Sequence, residues 1–346
     1  MERKYISDES LKTFINQLND EGRHVYAPVA KGEKTEFERV KSFDKISLDH
    51  IQTTQSIKAV AFPRTEKLFS YTKNKGDVTL EDYNPDLIPE MVVFGLHPCD
   101  AAGFKPLSNI FNWGTPDVPF NERRRRTTLI AMSCTQSDEF CFCTSVNGGP
   151  GNTAGSDILL TPIKDKNGYL VEVVSEKGQE LVSKYAGLFG EAPDVDKEAY
   201  LAKLSRKFSL DDLRGKISHM FESEVWKKQS ERCLGCGACA FVCPTCACFD
   251  IQEDTKGSKG NRLRCWDSCG FSLFTFHTSG HNPREVQSQR WRQRLLHKFS
   301  YMPERLSVVG CTGCGRCSRA CPVDMNISDH LAEIADLSVV TTEKEK

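Results

Sequence analysis

Two stretches decide how this chain is read: CLGCGACAFVCP at residues 233–244 and CTGCGRCSRACP at residues 311–322. Each is a ladder C-x2-C-x2-C-x3-C-P, with cysteines at 233, 236, 239 and 243 and again at 311, 314, 317 and 321. Two residues between successive thiolates let one tight loop wrap a compact cubane cluster, and the fourth cysteine crosses to the other cluster. The expected ligand sets are therefore Cys233, Cys236, Cys239 and Cys321 for one [4Fe-4S] cluster (site A), and Cys311, Cys314, Cys317 and Cys243 for a second (site B). Gly235, Gly237 and Ala238, with Gly313 and Gly315, lie between ligands. Glycine accepts the unusual backbone angles of such loops and lets N–H groups approach the sulfurs. Zinc is the principal rival, since C-x2-C pairs also build zinc ribbons. Four cysteines within eleven residues, twice, fit a closed four-ligand zinc site poorly.

The rest of the chain sets the context. Its 346 residues have room for more than one domain, and a net charge of −1 gives no global field for nucleic acid. Sixteen cysteines point to metal binding in a reducing compartment, hence a cytoplasmic protein. The polar start MERKYISDES has no apolar signal core, and no apolar run reaches the length of a membrane span.

Residues 1–205 read as an α/β domain. Asp8 and Ser10 are candidate caps for a helix burying Leu11, Phe14, Ile15 and Leu18. Strands are expected at 24–30, 57–62, 91–96 and 127–133. The last two are separated by a helix from Ala101 and a turn-rich stretch 112–120, long enough to make them parallel neighbours. A hairpin is expected at 157–163 and 169–174, then a helix at 178–186, and a helical stripe Leu213, Ile217, Phe221, Val225 leads into the first ladder. The fold class is α+β: an N-terminal α/β domain with a partly parallel sheet, then a ferredoxin-like dicluster domain with a long helical insertion. The expected boundaries are 1–205, a connecting helix at 206–232, the dicluster domain at 233–335 with its insertion at 249–310, and a polar tail at 336–346.

Both buried strands lead into cysteine. Cys99 follows the first, Cys134 closes the second, and Cys141 and Cys143 lie on the next loop. Ligands of open α/β sheets sit at the carboxyl ends of the strands. Cys99, Cys134, Cys141 and Cys143 are thus candidates for a third [4Fe-4S] cluster (site C), with zinc or plain buried thiols as the alternatives. The glycine-rich loop 148–155 misses the G-x-G-x-x-G spacing and is read as a turn, leaving no convincing flavin or nicotinamide motif.

The 67 residues between the ladders hold Cys246, Cys248, Cys265 and Cys269. These four could hold a fourth cluster or a redox-active thiol pair, with Cys246, Cys248 and Cys269 the foremost candidate ligands; the preferred reading is packing cysteines that shield site B. Gly280 and Pro283 argue against a helical metal pair of His277 and His281. The basic stretch 284–299 carries a buried stripe of Trp291, Leu295 and Phe299. Its charges are read as a solvated helix face, or alternatively as an electropositive surface beside the clusters. Arg123 to Arg126 are read as a solvated loop.

These segments resemble the family formed by the A-type subunits of anaerobic sulfite reductases and the beta subunits of soluble sulfhydrogenases. The resemblance runs through residues 232–251, RCWDSCG at 264–270, GHN at 280–282, RLLHKFS at 294–300, the second ladder, GLHPCD at 95–100 and the C-x6-C-x-C loop at 134–143. Cys265 stands where the family more usually has arginine. The resemblance implies an electron-transfer subunit of a hetero-oligomer, linking a flavin subunit that meets NAD(P)H to a subunit holding a catalytic metal centre. The alternative is a stand-alone reductase that cleaves a disulfide or persulfide through cysteines of the insertion. Catalytic acid, base or nucleophile residues are not required by the first reading.

Overall fold

The computed structural model describes residues 2–337, so most of the tail expected at 336–346 lies outside the described residues. In chain order the N-terminal half forms β1 (Glu2–Ser7), α1 (Asp8–Asp20), β2 (His24–Lys31), β3 (Lys34–Val40), β4 (Thr65–Asn74), β5 (Asp77–Glu81) and β6 (Met91–Leu96). Then come α2 (Pro98–Phe111), α3 (Val118–Arg125), β7 (Thr127–Met132), β8 (Ile158–Ile163), β9 (Gly168–Val173), α4 (Glu176–Lys184) and β10 (Gly190–Glu191). Eight of these strands make one sheet in the order β10-β1-β9-β8-β7-β6-β2-β3. The centre, β2, β6, β7 and β8, is parallel, and both flanks are antiparallel.

MVVFGL and TTLIAM are buried at every position because helices cover both faces of the parallel centre. Val92, Phe94, Ile130 and Leu160 pack against Leu11, Phe14, Ile15 and Leu18 of α1 and Leu181 of α4. The alternate residues Met91, Val93, Leu129 and Leu159 pack against Phe104, Leu107 and Phe111 of α2 and Phe120 of α3. Ser7, rather than Asp8 or Ser10, caps α1, its hydroxyl accepting from the Ser10 amide at 3.1 Å.

The second half forms α5 (Leu210–Ile217), α6 (Val225–Ser230), α7 (Ala238–Phe241), β11 (Phe249–Lys256), β12 (Lys259–Trp266), α8 (Gln287–Leu296), α9 (Met302–Leu306), α10 (Arg316–Arg319) and α11 (Ile327–Asp336), with a π turn at His297–Tyr301. The expected helical stripe is two helices, and Phe221 lies exposed between them. The insertion is helical only in its later part. It opens with the hairpin β11–β12, which joins β4 and β5 in a second sheet ordered β11-β12-β4-β5. Arg264 locks that junction: its Nε donates to Glu66 at 2.9 Å and its guanidinium reaches Asp117 at the start of α3.

Three further expectations need correction. Residues 57–60 form a 3-10 turn instead of a strand, because Lys58 turns inward. The stretch 112–120 contains the start of α3, capped by Asp117, whose side chain accepts from the Phe120 amide at 2.9 Å. Arg123 to Arg125 close α3 rather than a solvated loop, with Arg123 on the buried Glu66 and Arg124 donating to the Thr127 carbonyl at 2.9 Å.

Candidate metal centres

Both ladder loops turn on the same pair of left-handed glycines. Gly235 and Gly237 have φ of 66° and 74°, and Gly313 and Gly315 have φ of 66° and 71°. Each loop ends in a single helical turn, α7 or α10, and the two turns pack together. That pairing carries the fourth cysteine of each ladder across to the other loop. Cys233, Cys236, Cys239 and Cys321 line one cavity, which Cys317 also lines. Cys311, Cys314, Cys317 and Cys243 line a second.

A third cavity is lined by Cys99, Cys134, Cys141 and Cys143. Cys99 sits in the first turn of α2, just beyond β6, and Cys134 follows β7. The Cys134 amide donates to the Pro150 carbonyl at 2.9 Å, so the glycine-rich turn closes this rim. Cys314 borders the same cavity. The second ladder loop lies directly on the Cys141–Cys143 loop: the Phe142 amide donates to the Gly313 carbonyl at 2.9 Å. A Cβ at Gly313 would stand 2.5 Å from Cys143 Cα, so only glycine permits this approach.

Among the described residues, no three His, Cys, Asp or Glu side chains converge on a single-ion site. A mononuclear zinc would need thiolates only about 3.8 Å apart, from Zn–S bonds of about 2.3 Å. Four thiols lining one cavity are the ligand set of a cubane cluster.

Charge supports the same fit. Lys58, Arg294, Lys298 and Arg316 each expose 4 % or less of their surface. Arg316 is matched by Asp100, to which it donates two bonds of 2.7 Å. The other three have no carboxylate within salt-bridge distance among the described residues. Lys298 Nζ donates to Gly310 O at 2.6 Å, Thr245 Oγ1 at 3.0 Å and Cys243 Sγ at 3.4 Å. Arg294 Nη2 donates to Cys239 O at 2.9 Å, and Nη1 lies 3.6 Å from Cys246 Sγ. Lys58 Nζ donates to Cys246 O at 2.9 Å and stands 4.0 Å from the Trp266 ring centre. An uncompensated buried cation costs several kcal/mol. The anions that remain available are thiolates.

Without a bound metal Cys99, Cys143 and Cys311 resist ionisation, whereas the neighbouring Cys246 thiol and the buried cations hold Cys243 below the ordinary thiol value. Burial pushes Cys143 up to about 11 and Cys311 to about 12, and raises Cys99 well above the ordinary thiol value. Burial also works against the Lys298 ammonium, yet the Cys243 and Cys246 sulfurs hold it above the usual lysine value. Metal binding requires deprotonated cysteines and so completes this charge balance.

Hydrogen bonds reach other sulfurs. Gln287 Nε2 donates to Cys233 Sγ at 3.0 Å, Gln52 Nε2 to Cys99 Sγ at 3.3 Å, and Arg319 Nη2 to Cys141 Sγ at 3.2 Å. Gln52 also accepts from Arg316, whose Nη2 bonds Thr53 Oγ1 at 2.7 Å. Sequence reasoning missed Gln52, Thr53, Lys58 and Gln287, which carry no motif. It placed Arg294 and Lys298 on a solvated helix face or, alternatively, on an electropositive surface beside the clusters; both are instead buried directly against thiols. Cys265 lies on the face of β12 opposite Arg264 and Trp266 and joins none of the three cavities. His277 and His281 sit exposed on a turn, where the His277 amide donates to the His281 carbonyl at 2.8 Å.

Residues 232–325 match the model of a 4Fe-4S dicluster domain. The chain is 32 % identical over 339 residues to the sulfhydrogenase 2 subunit beta of Pyrococcus furiosus, covering 96 % of this chain and 98 % of that protein. It is 25 % identical over 176 residues to the F420-dependent formate dehydrogenase subunit beta of Methanocaldococcus jannaschii, covering 47 % of this chain and 38 % of that one. No solved structure matches.

Proposed function

The chain belongs to the family of the sulfhydrogenase beta subunits, and on that premise we propose that it is the iron–sulfur electron-transfer subunit of a multisubunit oxidoreductase. Its partners are a flavin subunit linked to NAD(P)H and a catalytic subunit holding a metal centre of the hydrogenase or sulfite- or sulfur-reductase type, in the cytoplasm. The observation that carries this reading is the pair of thiol-lined cavities, each built from both ladders, beside buried lysine and arginine with no carboxylate to balance them among the described residues.

Cys233, Cys236, Cys239 and Cys321 would hold one [4Fe-4S] cluster, and Cys311, Cys314, Cys317 and Cys243 a second. Cys99, Cys134, Cys141 and Cys143 would hold a third. Such clusters supply reversible one-electron transfer when bound. The protein's own residues do the remainder. Gly235, Gly237, Gly313 and Gly315 bend the loops, and Lys298, Arg294 and Arg316 place positive charge behind the thiolates. Gln287, Gln52 and Arg319 fix sulfurs by hydrogen bonds, which tune reduction potential. Phe142 and Gly313 press the second ladder loop against the Cys141–Cys143 loop, which sets the order A, B, C. Exchange with a two-electron hydride donor requires a flavin on another chain.

The test is anaerobic isolation of the native assembly, with mass spectrometry of the co-purifying chains. A flavoprotein and a metal-containing catalytic chain are expected alongside. A stable lone chain with its own disulfide or persulfide reductase activity would overturn the relay in favour of the stand-alone enzyme.

A further inference from the structure

Cys246, Cys248 and Cys269 border none of the three thiol-lined cavities. The fold separates them into two kinds. Cys246 is buried and hydrogen-bonded through its thiol to Cys243, so it supports a ladder cysteine. Cys248 and Cys269 are brought side by side at the base of the β11–β12 hairpin, close enough for their thiols to interact. The hairpin brings them together: Cys248 immediately precedes β11, and Cys269 lies just past β12. The Asp267 amide donates to the Cys248 carbonyl at 3.0 Å, closing the base of the hairpin next to the Phe249–Trp266 pair.

Two thiols in contact suit a sulfur–sulfur bond better than a cluster, whose ligands stand apart around a cavity. Arg294 supplies the charge such chemistry uses. Its guanidinium is buried, lies beside Cys269, and donates to the carbonyl of Cys239 at 2.9 Å. Its Nε has no partner among the described residues. A buried guanidinium on Cys269 favours the thiolate, the form that attacks and forms disulfides. Cys239, a site A cysteine, is near enough to Cys269 for the two to interact electrostatically.

We propose that Cys248 and Cys269 are a redox-active dithiol that stores two electrons beside site A. On oxidation a bond forms between the two Sγ atoms as the Cys269 thiolate and the Cys248 thiol give up two electrons. The Cys248 S–H bond breaks and its proton goes to solvent. On reduction two electrons and one proton return, restoring thiolate and thiol. The electron donor and acceptor is the one-electron relay proposed above, so the inference rests on that reading. Such a store fits a junction between two-electron and one-electron chemistry.

The native assembly would be poised anaerobically at a series of potentials, quenched in acid and alkylated. Peptide mass spectrometry would then read the 248–269 linkage. Coulometric titration and iron analysis would compare wild type with C248S and C269S, with C265S as a control. We expect the linked peptide at high potential and its loss at low potential. We also expect wild type to take up about two more electrons per chain than C248S or C269S, as a disulfide couple requires. Iron should be unchanged in all variants, and C265S should behave as wild type. A fall of about four irons in C248S or C269S would overturn the proposal by making these cysteines cluster ligands. Free thiols at every potential with equal electron uptake would overturn it as well. An iron-free preparation that still interconverts dithiol and disulfide would sustain the dithiol and sink the relay reading.

Discussion

Replacing Lys298 by methionine keeps the volume of the side chain and deletes one buried charge at site B. The ammonium stands 3.4 Å from Cys243 Sγ and is almost fully buried. At that distance, with an effective dielectric of about 20, one unit of charge on the sulfur interacts with it by about 5 kcal/mol. By the one-electron conversion of 59 mV per tenfold change, that corresponds to roughly 200 mV as an upper bound. An added electron spreads over the whole cluster and lies farther away on average. A fall of about 50–100 mV in the site B potential is therefore expected. An EPR-monitored titration of the anaerobic assembly reads it directly, with iron content confirming that the site is filled. Site A should move less, because Arg294 remains between the two cavities. A fully loaded variant whose site B potential is unchanged or higher would refute the charge argument.

Cys143→Ser should remove about four irons per chain and leave the ladder signals in place; an unchanged iron count would dismiss site C. Arg316→Met strands the buried Asp100 carboxylate and should destabilise the protein by about 3–5 kcal/mol in denaturant unfolding; a loss below about 1 kcal/mol would show that the pair carries little. Gly313→Ala adds left-handed strain and a clash with Cys143, so it should cost more than about 2 kcal/mol and disturb the iron content of sites B and C. The control Gly257→Ala has comparable φ but open space, and should cost only about 1 kcal/mol with normal iron.

The parallel centre of the main sheet was legible because β6 is apolar throughout and β7 is apolar from Leu129 onward, short unbroken runs that suit strands covered on both faces. The rim cysteines could be placed for the same reason, since strand direction fixes which end of the sheet they reach. β4, β5 and β11 were not legible. FDIQEDTK is exposed throughout, so burial leaves only the brief Phe249–Ile251 alternation to mark it, and its hairpin with β12 joins a sheet only through the pairing of β12 with β4, far away in the chain. The buried cations were misread for a different reason. Arg294 and Lys298 lie among other basic residues, and charge counting treats cysteine as neutral. Only when the fold places thiols beside them does their burial make electrostatic sense. Gln52 and Thr53 were invisible because their role comes from contact with Arg316, 263 positions beyond Thr53.

Iron and acid-labile sulfide per chain, measured in the anaerobically isolated native assembly, test the cluster assignment most directly. About twelve irons with equal sulfide are predicted, four for each of sites A, B and C. Stoichiometric zinc, or a folded chain in its native assembly that holds neither iron nor sulfide, would contradict it.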